Sequence, residues 1–189
     1  MGVFAAKGYA GTRMEDVARE AGVTKGTIYL YFENKEAVLK ALVRESIGST
    51  IDQVASQVQN FTGSTPDLLR FVLTAMGQFI VLSDRVALPK IVVAEAGNFP
   101  ELARFYRAEI IDKGLGLMRA VIARGIARGE FRAVVPDHAA RLCIAPLLLA
   151  AIWRTTFAQF DAEPYDYQGL TESHIETLLR GLAAEGTPP

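Results

Sequence analysis

Cysteine, histidine and surplus positive charge are what this 189-residue sequence has least of. A single cysteine, Cys143, rules out an internal disulfide and leaves a reducing, cytoplasmic location as the expectation. The two histidines, His138 and His174, fall on different expected helices, each near a helix start, and read as solvated side chains. No metal-ligand spacing, Gly-rich phosphate loop or nucleophile elbow is present. No catalytic residue, metal or cofactor is therefore expected. Cys143 itself, in an apolar helix, reads as a small buried hydrophobe. Nor is there a long apolar run. The longest, residues 142–153, lies between Arg141 and Arg154 and is shorter than the roughly 20 residues a bilayer needs. No signal peptide, internal repeat or low-complexity segment is seen. Charge is nearly balanced, at -1 overall. Residues 1–45 carry 7 basic and 6 acidic side chains, or +1, and the remainder 13 and 15, or -2. That balance supports nucleic-acid binding only weakly.

What is present is half apolar, enough for a real core, and its periodicity is helical throughout. The most informative stretch is Thr12–Phe32. Thr12 with Glu15 three residues on forms a capping-box pattern. Met14, Val17, Ala18 and Ala21 then trace one apolar helix face. Gly22 follows, suited to the left-handed conformation that ends a helix sharply. Thr24 can cap a second helix, with Val23 and Ile28 as a hydrophobic staple. Ile28 and Phe32 face the first helix. The opposite face carries Gly26, Thr27 and Leu30, flanked by Lys25, Tyr29 and Tyr31. An ordinary helical hairpin would account for Val17, Ala18, Gly22 and Ile28 equally well. It accounts less well for a second helix that exposes tyrosines, threonines and a lysine around a glycine. That glycine costs a helix roughly 1 kcal/mol but allows close backbone approach to a phosphate. Helix-turn-helix is the better reading.

The residues A-K-G-Y-x-x-T, then V-A-R-E-A-G-V-T-K-G-T-I-Y-x-Y-F, then N-K-E-A-V-L resemble the DNA-binding domain of the tetracycline-repressor (TetR) family over residues 4–44. The resemblance implies an all-α fold, with residues 1–45 as a helix-turn-helix DNA-binding domain and residues 46–189 as a helical ligand-binding and dimerisation domain. It implies a ligand-responsive, homodimeric regulator, a repressor of transcription, with double-stranded operator DNA and a small effector as partners. Family members carry a complete first helix with a basic arm before it, whereas this sequence starts within that helix, which leaves open a truncated chain or a start assigned late. On this reading Thr12, Arg13 and Lys35 contact phosphates. Lys25, Thr27, Tyr29 and Tyr31 lie along the groove, with Thr24 and Gly26 offering hydroxyl or backbone contacts.

Farther along, Asn34 caps a fourth, long helix that runs on toward Val58 as a mechanical link between the two parts. Thr65-Pro66 opens a helix to Leu82. A break at Ser83-Asp84 and a short helix from Val86 to Ala96 follow, and then a glycine-bearing helix from Pro100. The helix Asp137–Phe160 is apolar all round and should be buried on both sides, against its own core and a second subunit. Pro146 should kink it. Thr171 should cap the last helix. Leu147, Ala151, Trp153 or Phe157, Ile175, Leu178 and Leu182 are the expected dimer contacts. Phe71, Met76, Phe79, Phe105, Met118, Trp153 and Phe157 are the expected lining of a cavity for an apolar or amphipathic effector. Gly114 and Gly116 open the central helix to that effector, and Arg107 and Arg119 are candidate anchors. Two other outcomes stay open. One is a DNA-binding dimer with a filled core and no ligand; the other is a small helical enzyme with polar groups in its cavity.

Overall fold

The computed structural model describes residues 2–83 and 87–184. Asp84 and Val86, expected at a break and a helix start, lie outside that range. Among the described residues there are eleven α-helices and no strand, so the all-α expectation holds. The chain forms two compact units. One comprises residues 1–51 and 87–112, the other residues 52–86 and 113–189. Residues 87–112, which the sequence assigns to the second part, thus pack with the first.

In the first unit, α1 (Gly2–Gly11), α2 (Met14–Glu20), α3 (Lys25–Tyr31) and α4 (Lys35–Val43) enclose Phe4, Tyr9, Met14, Ala18, Ile28 and Leu39. Gly8 has φ 67° and breaks α1, a backbone that favours glycine. Beyond the break the Ala10 amide donates to Glu95 of α7 (Ala87–Glu95) at 3.2 Å. Tyr9 packs beneath the helices as expected, edge-on to Phe99 at 4.7 Å. A five-residue π-helical turn, Arg44–Gly48, follows α4. It packs against a second such turn, Arg107–Ile111, which follows α8 (Pro100–Tyr106), with Arg44 paired to Glu109 at 3.2 Å.

In the second unit, α6 (Thr65–Met76), α9 (Asp112–Ala127), α10 (Pro136–Thr156) and α11 (Tyr167–Leu182) surround a core of Leu68, Leu69, Val72, Met118, Ile122, Ala140, Cys143, Leu147 and Ile175. The helix α5 (Ser49–Asn60) leads into it. Two caps differ from expectation. Ser64, not Thr65, caps α6, accepting from Asp67 N–H at 3.2 Å, and Glu130 accepts from the Thr65 amide at 2.9 Å. Asp166, not Thr171, caps α11 by accepting from Gly169 N–H at 2.8 Å; Thr171 lies one turn inside and donates to Tyr167. In both cases the nearer polar residue takes the orphan donor first. Phe131 lies against Gly125, where a Cβ would sit 2.2 Å from its ring. Burial pushes the Cys143 thiol up to about 12, so it carries no thiolate at neutral pH.

Candidate nucleic-acid interface

The helix pair α2–α3 is built by short-range chemistry. Gly22 has φ 68° and a Cβ there would meet nothing within 4 Å. The glycine is therefore there for conformation and not for space. The Val23 amide reaches back to the Ala18 carbonyl at 3.0 Å and closes α2. Thr24 caps α3, its hydroxyl accepting from Thr27 N–H at 3.2 Å and lying 2.9 Å from the Thr27 hydroxyl. Ile28 is buried against α2 while the rest of α3 faces outward.

The start of α2 differs from the expected capping box. Arg13 is the capping residue, and its amide donates to Asp16 at 3.3 Å. Thr12 is only 2% exposed, and its hydroxyl donates to the Gly8 carbonyl at 2.6 Å. Its side chain therefore serves the Gly8 break and is turned away from any phosphate. Asp16 is the residue that pattern reading missed. It is buried and accepts from Lys7 at 2.7 Å, from Arg19 and from the Arg13 amide. The Lys7 ammonium holds its carboxyl below the usual carboxylate range.

Lys35 departs furthest from expectation. Its ammonium donates to the carbonyls of Tyr9 at 2.7 Å, Ala10 at 3.0 Å and Thr12 at 3.2 Å, and lies 4.7 Å from the Tyr9 ring centre. An ammonium has three protons, and all three are directed at the end of α1, where orphan carbonyls and the helix dipole favour a cation. Lys35 is a staple between α1 and α4, not an outward phosphate contact.

The remaining residues do face outward. Arg13, Thr24, Lys25, Gly26, Tyr29, Leu30 and Tyr31 are exposed and Thr27 is half-buried. Lys25 pairs with Glu15 at 2.5 Å and lies 5.9 Å from the Tyr29 ring centre. The Glu15 carboxylate raises the Lys25 pKa, and Lys25 in turn lowers that of Glu15. A Cβ on Gly26 would meet only the Thr24 hydroxyl, at 3.8 Å, so no packing inside the subunit demands glycine there. The unit thus presents a short helix with a bare backbone patch, two tyrosines, a leucine and flanking cations, held on a rigid base. This arrangement suits the major groove of a duplex.

Comparison with known proteins decides the family. The family model for bacterial regulatory proteins of the tetR family matches residues 1–42, and that for the tetracyclin repressor-like C-terminal domain matches residues 61–164. The chain belongs to the TetR family of transcriptional regulators. A TetR-family relative, the fatty acid metabolism regulator protein of Bacillus subtilis (strain 168), is 27% identical over 180 residues, covering 95% of this chain and 90% of the relative. The structure of the fatty acid degradation regulator FadR from Bacillus halodurans is 27% identical, with a TM-score of 0.75, covering 94% of this chain and 89% of that one. The fold is also that of Bacillus subtilis FadR in complex with stearoyl-CoA, at 23% identity and a TM-score of 0.74, over 96% and 94% of the two chains.

Within this TetR-family chain the expected effector residues do not converge. Phe105 belongs to the first unit, under Lys40 and Arg44 at 5.4 and 4.8 Å from its ring centre. Met118 is packed into the second core, and Met76 is half-buried against it. Phe79 is half-buried, Phe71 exposed. Trp153 and Phe157 are exposed, their ring centres 5.1 Å apart, with the indole N–H donating to Asp161 at 3.1 Å. Arg107 and Arg119 pair with Asp112 and Asp137, at 3.7 and 3.4 Å. Beside Gly114 a Cβ would meet nothing within 4 Å. A pocket of about 360 Å³ lies instead at the end of α10, lined by Ala158, Asp161, Tyr165 and Tyr167 among others.

The expected dimer contacts also need correcting. Leu147, Ala151, Ile175 and Leu182 are buried in the subunit's own core, and Leu178 is half-buried against it. The outer face of α10 is apolar as well, with Leu142, Leu149, Ile152, Trp153 and Phe157 exposed. The helix is two-sided as expected; of the contacts named from sequence Leu147 and Ala151 lie on its inner side, while Trp153 and Phe157 lie on its outer side.

Proposed function

We propose that the chain is a homodimeric repressor that leaves its operator when a long-chain acyl compound binds its larger, C-terminal part. The outward face of α3 carries the DNA reading. It exposes Lys25, paired with Glu15, together with Gly26, Tyr29 and Tyr31. The names of the two relatives at 27% identity, each covering nearly the whole chain, support fatty-acid chemistry as the source of the effector. An amphipathic acyl thioester fits the apolar residues of α6, α9 and α10. Phe71, Met76 and Phe79 are the side chains we assign to its acyl chain, and Trp153 and Phe157 go to the outer face of α10.

The second copy covers the outer face of α10. That helix is long and apolar enough, by length and composition, to cross a membrane. Its inner face is the core of the second unit, however, and Pro146 and Arg141 interrupt its outer face. An isologous contact between two such faces is the simplest use of the exposed leucines and aromatics. Two α3 helices must then sit one helical turn apart, about 34–36 Å, or a multiple of it. A ligand-induced tilt of the helical run from Lys35 to Asn60 changes that spacing. The filled surroundings of Met118 favour a second reading, a dimeric regulator with no ligand.

The test is to enrich duplexes from a random pool with the purified protein, then add stearoyl-CoA, free stearate or CoA. A palindromic sequence released by the thioester or the acid supports the proposal. Enrichment with no release by any of the three supports the ligand-free reading. A pool without enrichment removes the DNA-binding reading itself.

A further inference from the structure

We infer that Leu30 reads the C5-methyl group of one thymine in each operator half-site. The inference rests on the DNA-binding reading of α3. Leu30 is 82% exposed, the most exposed of the large apolar side chains among the described residues. It stands on the side of α3 away from Ile28, the one residue of that helix buried against α2. Nothing in the subunit encloses it, and a helix surface residue of no structural use is more cheaply polar.

Its surroundings define what it can touch. A leucine on a helix leans toward the N-terminus, over the residue four before it. That residue is Gly26, which leaves bare backbone and open space. The Leu30 methyls therefore lie above a gap and can approach a flat surface closely. The neighbouring polar groups are already engaged locally. The Thr24 and Thr27 hydroxyls are bonded to each other, and Lys25 is paired with Glu15. Leu30 can neither donate nor accept a hydrogen bond, so it contributes nothing to phosphates or to polar base edges. The one apolar feature a base pair shows in the major groove is the thymine methyl. Apolar contact with that methyl is what an exposed leucine on a recognition helix can discriminate.

Replacing thymine by deoxyuridine removes only this methyl and keeps every hydrogen-bonding group. The experiment uses the duplex enriched by the full-length protein, with each thymine changed to deoxyuridine in turn, symmetrically in both half-sites. The expected result is one position whose change weakens binding about fourfold per half-site, the worth of burying one methyl-sized group. Leu30→Ala should bind the thymine and deoxyuridine duplexes equally at that position. Because Leu30 is exposed, the variant keeps the fold, which circular dichroism checks. If no deoxyuridine position matters to the wild-type protein, the inference is wrong. It is equally wrong if the penalty persists undiminished in Leu30→Ala. Failure to enrich any duplex would instead overturn the DNA-binding reading and this inference with it.

Discussion

Replacing Lys35 by methionine keeps the aliphatic stem and removes only the ammonium. Three carbonyls at the end of α1 then lose their donor. Those of Tyr9 and Thr12 are partly buried, and that of Ala10 is open to water. Hydrogen bonds from a charged donor contribute about 1.5–3 kcal/mol each, but water replaces the ammonium at Ala10 and in part at the others. The net loss is about 2–3 kcal/mol, or about 5–10 °C in Tm for a chain of this size. Thermal unfolding followed by circular dichroism measures it, at one fixed protein concentration. DNA binding supplies the control. Each phosphate contact contributes about 0.9 to the slope of log K against log salt. A phosphate-binding Lys35 would give a dimer variant whose slope is smaller by about 2 and whose stability is unchanged. We expect the opposite: an unchanged slope, measured below the variant's Tm, and a lowered Tm. A flattened slope with wild-type stability would refute the staple.

Two further outcomes follow from the same geometry. Asp16 has a depressed pKa in the folded chain, because Lys7 and the Arg13 amide favour its charged form. Its contribution is therefore complete above the ordinary carboxylate value of about 3.9 and is lost as pH falls through the lower, folded value. Asp16→Asn should lower stability at pH 7 and flatten the acid limb of a urea-midpoint profile; parallel limbs would remove Asp16 from the account. Leu149 is exposed on the outer face of α10. Leu149→Glu should thus give a folded monomer in sedimentation, with DNA binding weaker on the order of 10²-fold through loss of the paired site, and a dimer at micromolar concentration would contradict the assigned face.

How much of this was legible in the sequence depends on the range of the interaction. The turn at Gly22, the caps at Thr24 and Asn34 and the inward Ile28 involve partners within a few residues, and all are found in the structure. The role of Lys35 was not legible, because its partners lie 23 to 26 residues away, just after a break at Gly8. Asp16 was passed over for a different reason, a competing pattern beside it. The pattern Thr12-x-x-Glu15 looks like a capping box, but Thr12 is drawn to Gly8 and the box shifts by one residue to Arg13 and Asp16. In α10 apolar residues occupy both faces, so periodicity gave no phase. Leu147 and Leu149 are alike in sequence, yet one is enclosed and the other is open. The expected effector residues rest on composition over three helices. Composition does not tell the packed Met118 from the exposed Trp153, nor place Phe105 with Lys40 and Arg44.

The central claim is that one chain couples operator binding to an acyl effector. The most direct measurement is the affinity for stearoyl-CoA, by calorimetry, with and without saturating operator duplex. Coupling of about 1–3 kcal/mol predicts that operator weakens effector binding by roughly 5–150-fold, and that effector weakens operator binding by the same factor. Equal effector affinities with and without operator would contradict the claim, leaving a protein that holds both partners and connects neither.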